Sequence, residues 1–154
     1  MKKVFLLGAA LALTLACAPL AGAQEDRGPW RAASTNAHAI TGDIVLSDAR
    51  LTIDFLTFPL AQIRRLKPVE VSAVFDADLN AGIEGTLYRL HVPPDQRFQH
   101  KNTLCGSEEA QWMATYVTGR TLNVAFFSGD DQPVFKFDAM QNTSTLCGTF
   151  VYGR

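Results

Sequence analysis

The triplet Leu-Cys-Gly occurs twice, at residues 104–106 and 146–148, and brackets the stretch that decides the fold. Within it, residues 112–127 read WMATYVTGRTLNVAFF, with apolar residues alternating on both sides of a Gly-Arg pair. Alternation around a short turn that contains glycine is typical of a β-hairpin. The stretch therefore predicts two antiparallel strands at the centre of a β-rich domain.

Shorter alternating runs lie on both sides of this hairpin and are separated by Gly, Pro, Asp and Asn. The clearest of them are residues 51–55, 69–75, 86–92 and 146–152, and residues 134–137 suggest one more short strand. About eight short strands with this spacing predict an all-β domain, either a small antiparallel β-barrel or a β-sandwich. A closed barrel would leave no free sheet edge.

Composition and charge narrow the class of protein. The 154 residues are enough for one domain, and 47% of them are hydrophobic, so a packed core is expected. The net charge is −1, and it becomes −3 once Lys2 and Lys3 are removed with a signal peptide. An acidic chain lacks the basic face that phosphate binding needs, so no nucleic-acid partner is expected.

The first 23 residues have the features of a secretory signal peptide. Lys2 and Lys3 precede the apolar run of residues 4–16, and Ala21-Gly22-Ala23 forms a small-residue cleavage site. This run is shorter than the roughly 20 apolar residues that span a bilayer, so no transmembrane segment is expected. Cleavage after Ala23 predicts a periplasmic or secreted protein.

Cys17 offers a different interpretation of the same segment. Residues 13–17, LTLAC, resemble a lipoprotein signal, in which the cysteine is lipidated and becomes the first residue. Such signals usually carry leucine three places before the cysteine, where this chain has Thr14. The alternative prediction is a lipoprotein anchored at Cys17.

The mature chain divides into two parts. Residues 24–37 are polar and small and contain Gly28-Pro29, so they are expected to form an irregular lead-in. Residues 38–154 are expected to form a single β domain. No internal repeat is long enough to predict a repeat protein.

Two cysteines, Cys105 and Cys147, remain after cleavage at Ala23. An even number of cysteines in an exported chain predicts a disulfide. A metal pair is the alternative, but the short Cys-x-x-Cys spacing of zinc sites is missing and no histidine lies near either cysteine in sequence.

A calcium site is one candidate for function. Oxygen-bearing side chains recur at nearly alternate positions in Asp76, Asp78, Asn80 and Glu84. In the EF-hand register, however, Ala81 and Leu87 occupy the places that need Gly and Glu. A polar turn, which Asp and Asn favour, is the alternative interpretation.

A zinc site formed by His91 and His100 is a second candidate. These histidines flank the Pro93-Pro94 turn, and their spacing matches no strand or helix geometry that fixes metal ligands in advance. Solvated histidines at strand ends are the alternative interpretation.

An aromatic surface is the third candidate. Trp112 and Tyr116 share one face of the second hairpin, whereas Phe126 and Phe127 must face opposite ways. Apolar residues on both faces predict a second contact surface for a protein partner or a small apolar ligand. The alternative is that one face packs under the long connection of residues 95–109.

The remaining motifs do not identify a reaction. The sequence has no Gly-x-Ser-x-Gly elbow, and no cofactor is expected. The sequence therefore favours a non-enzymatic periplasmic binding module for an envelope protein or a small apolar ligand. A calcium- or zinc-binding envelope module is the first alternative, and an enzyme of unrecognised type is the second.

Overall fold

One antiparallel sheet organises the chain in the computed structural model, which describes residues 25–154. The predicted signal peptide, residues 1–23, lies outside the described residues, and so does the lipidation candidate Cys17. Within residues 25–154, no helix is long and apolar enough to cross a membrane.

Nine strands and two helices make up most of the regular structure of the described residues. The strands are β1 Gly28–Ala32, β2 Ile44–Leu46, β3 Arg50–Ile53, β4 Leu56–Pro59, β5 Ala61–Leu66, β6 Gly85–Val92, β7 Ala110–Thr118, β8 Thr121–Ser128 and β9 Leu146–Gly153. The helices are α1 Pro68–Phe75 and α2 Phe137–Gln141. The order in the sheet is β4-β3-β2-β1-β9-β8-β7-β6-β5, with antiparallel neighbours throughout. This confirms the predicted all-β antiparallel fold.

Leu60 is the single residue between β4 and β5, the strands at the two ends of the sheet order. Its side chain is buried, and its N–H donates to the Ala49 carbonyl at 2.8 Å. Because successive Cα atoms lie about 3.8 Å apart, the two ends of the sheet must come together at this residue. The sheet therefore curls on itself. Its two end strands meet at Leu60 but are not paired with each other in the described sheet, where β4 pairs with β3 and β5 pairs with β6.

The inner face of the curled sheet encloses the main core. Side chains from β1–β4 and from β6–β9 belong to one buried cluster, which shows that the two halves of the sheet face each other. Its largest fully buried members are Trp30, Ile44, Leu46, Leu51, Ile53, Tyr88, Phe126, Phe150 and Tyr152. A sheet of this strand number leaves an interior that side chains fill.

A second core covers part of the outer face. Helix α1 and the connection between β8 and β9 lie over strands β5–β8 and bury a separate cluster. Its members are Leu66, Val71, Val74, Leu87, Trp112, Ala114, Ala125, Phe127 and Phe135. Strands β6–β8 are thus buried on both faces.

Helix α1 occupies residues that the sequence pattern assigned to a strand. Residues 69–75 alternate apolar and polar, but Pro68 stands at the first helical position, which suits its fixed φ. Glu70 accepts a hydrogen bond from the Lys67 N–H at 2.9 Å and so caps the helix start. These local signals override the alternation. Residues 134–136 are likewise irregular, and α2 begins at Phe137.

The lead-in also differs from the expectation. Residues 28–32 form strand β1, which pairs with β2 and with β9. The ladder with β9 starts only at Arg31, so Pro29 lies where a missing N–H is tolerated. Trp30 is almost fully buried and fixes this strand in the inner core.

Residues 25–27 close one end of the inner core together with Arg154. The Asp26 carboxylate is buried and accepts hydrogen bonds from the hydroxyls of Tyr88 (2.6 Å) and Thr115 (3.1 Å). The guanidinium of Arg154 lies 3.9 Å from the centre of the Trp30 ring and donates to the Arg27 carbonyl at 2.8 Å. The first and last described residues therefore hold each other in place.

Cys105 and Cys147 form the predicted disulfide, with their Cα atoms 4.7 Å apart. Cys105 lies in the connection between β6 and β7, and Cys147 lies in β9. The bond therefore ties a long connection to the sheet. Both cysteines are half-buried against the inner core.

Replacing both cysteines by serine is expected to lower the free energy of unfolding by about 4 kcal/mol. The chain-entropy model gives this value for a bond that closes a loop across 42 residues. Thermal melts of the wild type with and without dithiothreitol, beside the double variant, measure the effect. An unchanged midpoint in both experiments would contradict a stabilising role for the bond.

Gly85, at the start of β6, is expected to tolerate no side chain. A Cβ there would lie 2.4 Å from the Thr115 carbonyl oxygen and 3.0 Å from Val71 of α1. Gly85→Ala should therefore cost about 1–3 kcal/mol of stability, because the added methyl group overpacks the contact of β6 with the β7 backbone and with α1. Gly148→Ala is the matched control, since its nearest neighbour, the Phe150 ring, lies 3.4 Å away. Urea unfolding of both variants gives the comparison, and equal losses would argue against this account.

Candidate functional site

The aromatic residues proposed as a partner surface are covered by the chain itself. Phe126 faces the inner core, and Trp112 and Phe127 face the second core, where each is at least nine-tenths buried. Tyr116 is half-buried against Phe75 of α1, with ring centres 4.8 Å apart, and burial raises the pKa of its hydroxyl. The apolar residues on both faces of the hairpin thus belong to two cores, and α1 covers the outer one.

The structure does not bring the proposed calcium ligands together. Asp78 accepts a hydrogen bond from the Asn80 N–H at 2.9 Å, which makes it the cap of a helical turn. Asp76 ends α1, and Glu84 forms an ion pair with Arg65 at 3.5 Å. Among residues 25–154, no group of three or more His, Cys, Asp or Glu side chains is placed to hold a metal ion.

The two histidines proposed as zinc ligands have separate partners. Nδ1 of His91 lies 2.8 Å from a carboxylate oxygen of Glu109. Nδ1 of His100 lies 3.3 Å from the carbonyl oxygen of Ala39. Each histidine therefore takes part in a local polar contact.

The Asp26 cluster is buried but has little room beside it. The neighbouring cavity measures about 20 Å³, which is enough for one water molecule. Burial, together with the hydrogen bond to Asp26, raises the pKa of Tyr88 and keeps its hydroxyl protonated. These groups therefore close the end of the core, and there is no space for a substrate at the carboxylate.

A groove beside α1 is the best candidate for a functional site. It measures about 580 Å³ and lies between α1 and the segment from Phe135 to Phe137. Val69 and Ala73 of α1 form one wall, and the two phenylalanines form the other. Phe137 is 61% exposed and Val69 is 57% exposed, which is unusual for side chains of this size.

The walls of this groove are fixed from below. Val71 and Val74 hold α1 against the sheet, and the close approach at Gly85 leaves no gap beneath it. Phe135 is buried, with its ring centre 5.7 Å from that of Phe127 in an edge-to-face contact. The groove therefore rests on α1 and Phe135, both of which are packed onto the sheet.

Four charged side chains line the groove, and two of them neutralise each other. Arg64 forms two hydrogen bonds with the Glu70 carboxylate, at 2.8 and 2.9 Å. This pairing is the main cause that holds the pKa of the Glu70 carboxyl below its usual range, so the carboxylate remains ionised. Lys67 and Lys136 form no ion pair with any residue of the described range, 25–154. The groove therefore carries a net positive charge.

A second groove adjoins the first and shares Ser72, Ala73 and Phe137 with it. It measures about 530 Å³ and runs past the end of α1, over the outer face of β8 and β9. Its lining includes Asp76, so its electrostatic character differs from that of the first groove. Phe137 stands at the junction of the two.

An unusual turn lies in the half of the sheet that β1–β4 form. Asp54 and Phe55 join β3 to β4, both have positive φ (47° and 66°), and Phe55 is 97% exposed. Asn and Gly are the residues that favour such a turn. Phe55 borders a further groove of about 480 Å³, whose lining combines Val45 with Arg31, Asp43 and Asp54.

The sequence analysis predicts neither the groove beside α1 nor the Asp54-Phe55 turn, although each leaves a signal in the sequence. Lys67-Pro68 followed by Glu70 marks a helix start, and that helix would have shown Val69 to be exposed. Asp54-Phe55 stands where a two-residue turn is needed between alternating strands. Phe137 gives no comparable signal, because its exposure depends on how residues 129–145 cross the sheet.

Comparison of the chain with protein-family models, with curated proteins and with solved structures finds no match. A function for this chain therefore has to be argued from its own geometry and chemistry. The groove beside α1 combines apolar walls, preformed shape and uncompensated charge, and these are the usual properties of a ligand site.

Replacing Phe55 by glycine is expected to stabilise the protein. A non-glycine residue at positive φ costs about 1–2 kcal/mol, and Phe55 buries almost no surface in return. Since glycine also adds entropy to the unfolded chain, the net gain should be about 1 kcal/mol. Thr57→Gly, at an exposed site in the same hairpin, should instead be destabilising. Chemical denaturation of both variants tests this, and a less stable Phe55→Gly would show that the ring makes a contact worth more than the strain.

Proposed function

We propose that the chain is an exported, non-enzymatic binding module that takes an apolar ligand into the groove beside α1. The observation that carries this proposal is the concentration of exposed apolar side chains at one preformed concavity. Val69 and Phe137 line it directly, and Val134, which is 58% exposed, precedes the wall residue Phe135.

Size and shape support a small ligand. The volume of about 580 Å³ falls within the range of roughly 300–1,000 Å³ that is typical of small-molecule sites. Apolar groups exposed in a concave surface gain free energy when a ligand removes them from water. A protein segment that inserts one apolar side chain would use the same walls.

The packing of the groove walls onto the sheet favours the binding of a ligand without a large rearrangement of the protein. Since α1 and Phe135 are packed onto the sheet, a ligand would have to order few side chains as it binds. Less ordering on binding leaves more of the contact energy as affinity. Val69 and Phe137, which are both more than half exposed, would gain the most new contact.

The disulfide supports the proposed location in the periplasm or outside the cell. Disulfides persist in oxidising compartments, and Cys105 and Cys147 are paired. The predicted signal peptide, residues 1–23, gives the route of export. With cleavage after Ala23, the binding domain would be free of a lipid anchor.

Binding of Nile red, an uncharged apolar dye, tests the site. Phe137→Ser should weaken dye binding about 10-fold or more, because burying a phenylalanine side chain contributes about 1.5–3 kcal/mol. Its effect on folding should be small, since the ring is mostly exposed. Fluorescence titration measures the dissociation constants, and a thermal melt checks the fold.

Leu79→Ser is the matched control for this experiment. Leu79 is also a half-exposed apolar residue, but it lies in the turn after α1 and lines neither of the two grooves beside that helix. It should leave dye binding unchanged. If the wild type does not bind the dye, or if both variants lose binding equally, the proposed site is wrong.

A further inference from the structure

We infer that the ligand of the α1 groove is a single-chain fatty acid, with its carboxylate at Lys67 and Lys136 and its chain against Val69 and Phe137. This inference rests on the proposed function and adds the chemical class of the ligand. Neither lysine forms an ion pair with a residue of the described range, and both belong to the groove lining.

The charge of the groove contrasts with that of the chain. Arg64 and Glu70 form a neutral pair, so the two lysine ammonium groups set the sign of the local potential. The chain as a whole is acidic, with net charge −1. A positive site in an acidic protein selects an anion and disfavours a cationic amphiphile.

The apolar walls require that the anion carry a hydrocarbon chain. Exposed lysines hold an inorganic anion only weakly, since solvent and salt screen the interaction. Each methylene group that is removed from water should instead raise affinity, by up to about fourfold. Affinity should therefore rise with chain length until the walls of the groove are filled.

The neighbouring carboxylates disfavour a ligand carboxylate in the adjoining groove. Asp76 lines the adjoining groove beyond Phe137, and Asp138 follows Phe137 at the start of α2. Both would repel a carboxylate placed at that end. A ligand carboxylate is therefore favoured beside the ammonium groups of Lys67 and Lys136 and disfavoured in the adjoining groove.

The concave shape favours one free acyl chain over a membrane surface. The groove is bounded on two sides, by α1 and by residues 135–137, so an acyl chain that lies in it contacts both. A flat bilayer would contact the exposed Val69 and Phe137 and leave the walls at Phe135 and Ala73 unfilled. A free fatty acid reaches both walls at once.

Calorimetric titration with three ligands of equal chain length tests the inference. Laurate, dodecanol and dodecyltrimethylammonium share a twelve-carbon chain and differ in the head group, which is anionic, neutral or cationic. Below their micelle concentrations, laurate should bind at least 10-fold tighter than the other two. The preference should shrink as the salt concentration rises.

The double variant Lys67→Gln, Lys136→Gln should bind laurate and dodecanol about equally. Lys101→Gln is the matched control, because Lys101 is exposed and lines neither groove beside α1. It should keep the wild-type preference for laurate. A double variant that retains this preference would overturn the placement of the head group.

The outcomes separate this inference from the proposed function. If dodecanol binds as tightly as laurate, the inference fails and the proposed apolar site stands. If neither ligand nor Nile red binds, both fail. If the protein sediments with vesicles that contain phosphatidylglycerol but does not bind free laurate, a membrane surface replaces the fatty acid.

Discussion

The connection through Leu60 determines the shape of the whole domain. One residue carries the chain from β4 to β5, and these strands stand at opposite ends of a nine-stranded sheet. The sheet can satisfy this connection only by curling until its ends meet. Curling places β1–β4 opposite β6–β8, and the enclosed face becomes a single core. A longer link would not have imposed this curvature on the sheet. The buried Leu60 side chain and its hydrogen bond to Ala49 hold this corner.

Curling buries the inner face of the sheet, but the outer face has to be covered by other elements. On the outer face, α1 and the β8–β9 connection cover strands β5–β8. Neither element is long: α1 has eight residues and α2 has five. They meet above the sheet with their apolar edges, Val69 and Phe137, still in contact with solvent. The candidate site is thus the gap between two short covers. Its character follows from their flanking residues, Lys67 before α1 and Lys136 before α2.

The sequence predicts those parts of the structure that depend on near neighbours. The hairpin of β7 and β8, the strands β6 and β9, and the pairing of Cys105 with Cys147 all agree with it. Residues 69–75 show why the rest was missed: Val, Glu, Val and Ser alternate as in a strand, yet Pro68 and Glu70 start a helix. Without that helix, the sequence pattern predicts a contact surface at Trp112 and Phe127, which α1 and residues 129–145 in fact help to cover. The groove itself joins residues more than 60 positions apart, so periodicity alone does not reveal it.

The contacts between the first and the last described residues have a consequence for the order in which the domain folds. Strand β1 pairs with β9, and Arg154 holds residues 25–27 over the end of the core. Contacts of such long sequence separation form late and slow the folding of β domains. The curled sheet cannot be completed until β9 is available, because β1 has no second neighbour before then. A chain that lacks β9 therefore leaves β1 without its partner and the inner core without Phe150 and Tyr152. Because Cys147 also lies in β9, completion of the sheet and formation of the disulfide depend on the same last strand of the described residues.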